Sequence, residues 1–220
     1  MKELFHFDIE TCANFKDFQT FQQKDERGSK LFESKFKKMQ WNEKYNSLDD
    51  AYLENAGIVS TYGKICCISF GYIDSNFENQ IRSFYGDDER QIVEDFNNLL
   101  RKIETKNFSL CGFRINYFDI PWVLHKLHKY QIEPASIINL YGKKPWDLRI
   151  VDMYDDWKQK FAWGFSFDEL CYELGVKSPK DLMNGSQVNE YFWSGRLDDI
   201  RTYCEKDVNS SIEVSKKLYK

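Results

Sequence analysis

The stretch "FHFDIET", residues 5–11, closes an apolar run with two carboxylates. Side chains two apart on a strand share a face, so Asp8 and Glu10 point at one place in space. Such a pair either holds a cation or is simply a solvated strand end. A third acid, Asp119 in "GFRINYFDIPW", sits after a short strand and before a helix, where an aspartate can equally be a helix cap. In "YCEKDV", Tyr203 and Asp207 are four apart, so on a helix the phenol and the carboxylate project from one side. The alternative there is an exposed helical pair. Gathered together, these acids would suit Mg²⁺ or Mn²⁺, hard ions that take oxygen ligands and keep water.

Hydrophobic patterning supplies the elements that must position them. "LFHFDI" reads as a first strand, residues 64–73 ("KICCISFGYI") as a second, and "QIRSFYG" as a third after a turn at "DSNFEN". Asp87 or Asp88 then caps a helix in which Ile92, Phe96, Leu99 or Leu100, and Ile103 recur at helical spacing. Residues 108–115 form another short apolar strand, and Pro121 stands near the start of the helix that follows. "WDLRIVDMYDDWK", "SFDELCYELG" and "SQVNEYFWSG" read as short helices, and Leu197, Ile200, Cys204, Val208, Ser211, Ser215 and Leu218 make one stripe along a last helix. The order predicts an α/β fold with a mixed sheet flanked by helices.

The chain has 220 residues, 42% of them hydrophobic, including 18 Phe, 13 Tyr and 6 Trp, enough for one well-packed domain over 1–220. An extended insertion at about 13–57 separates the first two strands by more than a hairpin needs. Within it Phe32, Phe36 and Met39 share a face ringed by Lys30, Lys35, Lys37, Lys38 and Lys44, either a nucleic-acid footprint or a helix covering the core. No run reaches the roughly 18 apolar residues that span a bilayer, so no membrane association is expected. Six cysteines without metal-site spacing fit a reduced, cytoplasmic setting, and His6, His125 and His128 form no zinc pattern. A net charge of −4 argues against a broad basic surface but not against an enzyme that binds its own cations.

An Asp-x-Glu strand, an Asn-x-x-Asp at a strand-to-helix turn and a Tyr-x-x-x-Asp on the last helix resemble the three motifs of the DEDD exonucleases, in the subgroup that carries a tyrosine. "GKICCISFGY", "GFRINYFDIPWV" and "GRLDDIRTYCEKDV" are similar to predicted bacterial exonucleases related to the proofreading domain of family B DNA polymerases. The resemblance implies a ribonuclease H-like fold and a 3′–5′ exonuclease using two metal ions per site, Mg²⁺ or Mn²⁺. It assigns Asp8, Glu10, Asp119 and Asp207 as metal ligands, with Asp8 bridging, and Tyr203 as the group orienting the attacking water. Thr11, Cys12, Asn116 and Phe118 would lie beside the terminal nucleotide, and Asp152 would border the site or cap a helix. Single-stranded DNA or a DNA 3′ end is the expected partner, with nucleoside monophosphates as products. RNA, or binding without catalysis, is the alternative.

Overall fold

The computed structural model describes residues 3–39, 43–144, 147–160, 163–178 and 183–219. Residues 40–42 of the basic aromatic segment and Trp146, which heads one predicted helix, lie outside these. The first strand, β1 (Glu3–Ala13), alternates as its sequence demands: Phe5, Phe7 and Ile9 enter one core, while His6, Glu10 and Cys12 are buried on the opposite face. Next comes β2 (Gly63–Ile73), buried on both faces over most of its length, as expected of a strand covered from both sides. With β3 (Asn79–Tyr85), β4 (Phe108–Gly112) and β5 (Ile150–Asp152) the sheet runs β3-β2-β1-β4-β5. The β1–β2 and β2–β3 pairs are antiparallel, while β1–β4 and β4–β5 are parallel. This mixed sheet, flanked by helices, is the expected ribonuclease H-like arrangement.

The insertion is helical: α1 (Phe18–Lys24), α2 (Glu26–Lys38) and α3 (Leu48–Asn55) enclose an aromatic core of their own. Phe32 is fully buried, 5.1 Å from the Tyr62 ring and 5.4 Å from Tyr52, so Phe32 and its neighbour Phe36 are core residues. Met39 departs from the expected shared face and is half exposed, because α2 has ended and Met39 is its C-cap. Lys30 and Lys37 pair with Glu26 and Glu33 one turn back on the same helix.

One face of the sheet is covered by α4 (Glu89–Glu104), capped by Asp88, and α5 (Asp119–Lys129). Downstream, β5 replaces the first part of the predicted helix at "WDLRIVDMYDDWK", since Ile150 and Val151 pair with Leu110 and Cys111 and only α6 (Met153–Lys158) is helical. Then follow α7 (Phe167–Glu173), opened by a Ser166–Glu169 capping box, α8 (Val188–Trp193) and α9 (Leu197–Leu218). The last of these lies across β1, β2 and β3 on the face opposite α4 and α5. No helix among the described residues is long and apolar enough to cross a membrane.

Candidate active site

On β1, Asp8 and Glu10 face α9 and stand opposite Ser69 and Cys67 of β2. The register slips by one just beyond Glu10, leaving Cys66 as the extra residue, and such bulges re-aim side chains at strand ends. From α9, Tyr203, Asp207 and Ser211 descend at four-residue intervals along the wall of the same cleft. The Tyr203 phenol and the Asp207 carboxylate line the same cleft wall, and the Asp207 charge helps hold the phenol protonated.

Asp119 arrives from the far side of β1. The parallel pairing of β4 with β1 stops at Cys111–His6, and β4 leaves the sheet at Gly112. A Cβ at Gly112 would lie 2.3 Å from Ile115 Cγ2 and 3.0 Å from Phe7 O, so the turn requires glycine. With the strand gone, the amide of Ile9 donates to Asp119 Oδ1 at 3.0 Å. The helix-cap alternative for Asp119 is thereby corrected: the N-cap of α5 is Phe118, with no side-chain bond, and the Asp119 carboxylate is spent on β1.

These side chains line one cleft of about 490 Å³ that holds Asp8, Glu10, Asp119, Tyr203, Asp207 and Phe118. Thr11, Cys12 and Asn116 do not line it. The Thr11 hydroxyl donates to Gly57 O at 2.5 Å, tethering the insertion to β1. Cys12 is wholly buried on the face of β1 that carries Glu10, packed with Cys66, Cys67 and Tyr203. Asn116 donates its amide to Asp152 Oδ2 at 3.0 Å. Asp152 itself is 3% exposed and accepts from the amides of Arg114, Asn116 and Tyr154, which makes it the cap of α6 and the anchor of the β4–α5 turn.

Burial dominates the electrostatics. It pushes the Asp8 and Glu10 carboxyls well above the usual range, and the charges of neighbouring acids add to it, Asp119 and Asp207 at Asp8, Asp8 and Asp207 at Glu10. Asp119 is pushed up to about 7 by burial, against the pull of the Ile9 amide. Among the described residues no Lys or Arg pairs with Asp8, Glu10 or Asp119. Tyr203 is raised too, by burial first and then by Asp207, so its phenol stays protonated at neutral pH.

Residue types and spacing had not singled out several neighbours. Cys204, next to Tyr203, places its thiol 3.4 Å from Asp8 O and 3.5 Å from Asp8 Oδ2, and Asp8, Glu10 and Cys204 can bring ligand atoms within 4.8 Å of one another. Beneath them His6 bonds Ser211 Oγ at 2.8 Å and Ser215 Oγ at 3.3 Å, held neutral by burial, with Lys216 adding to it, at a pKa of about 3. Arg114 and Asp168 also line the cleft. Arg114 was visible in "GFRINYFD" as the one basic residue of that motif; nothing in the local pattern marked the others.

A family model described as predicted 3′–5′ exonuclease related to the exonuclease domain of PolB matches residues 58–212. That span includes Asp119, Tyr203 and Asp207 and begins after Asp8 and Glu10. Among solved structures, the family B DNA polymerase of Pyrobaculum calidifontis aligns over 99% of this chain and 24% of its own, at 15% identity and a TM-score of 0.60. E. coli exonuclease I in complex with a dT13 oligonucleotide aligns over 99% of this chain and 41% of its own, at 12% identity and a TM-score of 0.49. The chain thus spans about a quarter of the polymerase and two fifths of the exonuclease. At such identity the polymerase likeness establishes the fold alone. No curated protein matches the sequence.

Proposed function

The chain belongs to the family of predicted 3′–5′ exonucleases related to the exonuclease domain of PolB, and from that premise we propose that it removes nucleoside monophosphates from the 3′ end of single-stranded DNA. One observation carries the reading: Asp8, Glu10, Asp119, Tyr203 and Asp207, from three distant parts of the chain, meet in one cleft. The donor set fits divalent cations, because buried carboxylates crowd together with no Lys or Arg paired to Asp8, Glu10 or Asp119 among the described residues. Asp8, Glu10, Asp119 and Asp207 would hold two Mg²⁺ or Mn²⁺ ions, which supply charge relief at the phosphoryl and leaving oxygens and lower the pKa of water.

The protein's own groups do the positioning. The Ile9 amide fixes Asp119, and the Cys204 thiol restrains Asp8. Tyr203, kept protonated by burial and by the Asp207 charge, orients the attacking water as a hydrogen-bonding partner and does not act as a standing base. Phe118 is retained as a contact for the terminal nucleotide because it lines the cleft. The test incubates the protein with matched 5′-labelled DNA and RNA strands and Mg²⁺ or Mn²⁺. A ladder shortening toward the label is expected on DNA. Purely internal cuts, or equal activity in excess EDTA, would overturn the polarity or the role of the metal.

A further inference from the structure

A cleft floored by carboxylates repels the strand it must admit, so a fixed positive charge on its wall has a purpose. Arg114 is the one Lys or Arg lining the cleft among the described residues. It is exposed, makes no ion pair among them, and has its guanidinium 4.7 Å over the Tyr154 ring. Its backbone is held in the left-handed region, φ 61°, with the amide donating to buried Asp152 at 2.8 Å. Few non-glycine residues adopt that conformation, and such strain persists where surrounding structure enforces it. Stacking on Tyr154 restrains the planar fork while leaving its donors free, which suits bidentate capture of a phosphate.

We propose that Arg114 binds the phosphate of the substrate strand immediately 5′ to the scissile one, so that strands with two or more phosphodiesters are held and single-phosphodiester substrates are not. This rests on the nuclease reading above. The scissile phosphate belongs at the carboxylate floor; Arg114 stands beyond ion-pair distance of those acids, on the turn between β4 and α5, and meets the next phosphate along.

The test uses Arg114→Gly, which relieves the positive φ, and Arg114→Lys, which keeps charge without the fork. In an Asp8→Asn background with Mg²⁺, where the strand stays intact, anisotropy of a labelled oligothymidylate is followed against salt. Arg114→Gly is expected to weaken binding at least tenfold, to reduce the slope of log Kd against log salt by about 0.7, and to melt no lower than its parent. Arg114→Lys should recover the slope. In the unmutated background, kcat/KM should fall at least tenfold further on a trinucleotide than on a dinucleotide. Unchanged affinity and slope, an equal loss on both substrates, or a melting temperature that falls in step with affinity would each overturn the assignment. A protein that binds DNA with an Arg114-dependent slope yet cuts nothing would sink the nuclease reading and leave the phosphate contact standing.

Discussion

Two buried ionic clusters flank the same sheet, and they differ in what they lack. On the α4–α5 face, Glu89 is 5% exposed but receives Lys126 at 3.1 Å, Lys129 at 2.9 Å, the Tyr130 hydroxyl at 2.6 Å and the Ile65 amide at 2.7 Å. Burial alone would raise this carboxyl, yet the charge of Lys126 with the bonds from Tyr130 and Lys129 brings it below its ordinary value. Burial brings Lys126 below its ordinary value against the opposing charge of Glu89, and its ammonium meets three oxygen acceptors. On the α9 face, Asp8, Glu10 and Asp119 are raised together. The first cluster is complete and belongs to the fold; in the second no Lys or Arg pairs with Asp8, Glu10 or Asp119 among the described residues, which is what the proposed metal site would require.

The sharpest way to break this contrast is Asp8→Asn. Cleavage should be almost abolished, while the metal-free protein melts at the same temperature or higher, because one of several crowded charges is gone. Equal Mn²⁺-induced shifts in melting temperature for parent and variant would remove Asp8 from the metal site.

Lys126→Met should do the reverse. Leaving Glu89 buried without its main partner is expected to destabilise by about 3–5 kcal/mol in chemical denaturation, with turnover per folded molecule unchanged. A stable, inactive Lys126→Met protein would mean that the cluster serves the site after all.

The two clusters also differ in the sign of their response to pH. In the metal-free protein Asp119 keeps its proton up to about pH 7, against 3.8 ordinarily, so between those values the folded state holds more protons and stability falls as pH rises. Glu89 acts oppositely, since its lowered pKa makes a contribution present above about 4.5 that is lost as pH falls below it. Melting in EDTA should therefore drop by several degrees from pH 5 to pH 8, and Asp119→Asn should flatten that drop. A parent whose melting temperature rises over this range contradicts the assignment.

The smallest effect is expected in the insertion. Lys37 already has a partner on its own helix and Lys35 lies 5.9 Å over Tyr62, so replacing Lys35, Lys37 and Lys38 with Gln should shift the salt slope of DNA binding by less than the roughly 0.7 of one single-strand phosphate contact. A larger shift would restore this helix to the substrate path.

Much of this was legible in the chain before folding, and the exceptions share a cause. The strands through β4, the Asp88-capped helix and the last helix announce themselves by local periodicity. The fifth strand did not: three residues, Ile150–Asp152, are too short to carry a pattern, and they become a strand only because β4 offers a parallel edge some forty residues away in sequence. Cys12 shares the face of Glu10, yet its complete burial against Cys66 and Cys67 depends on packing that no local pattern announces.

By itself the sequence determined that Asp8 and Glu10 share one face of a strand while Phe5, Phe7 and Ile9 share the other, because strand geometry has a period of two. Helical spacing likewise put Tyr203 and Asp207 on one side of α9. Only the tertiary structure decided that Asp119 joins them, since that depends on β4 leaving the sheet at Gly112 and on an amide of β1 left open for a carboxylate. It also decided that Glu89 is neutralised where Asp8 is not. Glu89 is buried and Asp8 half-buried, and what separates them is which side chains the fold brings within bonding distance.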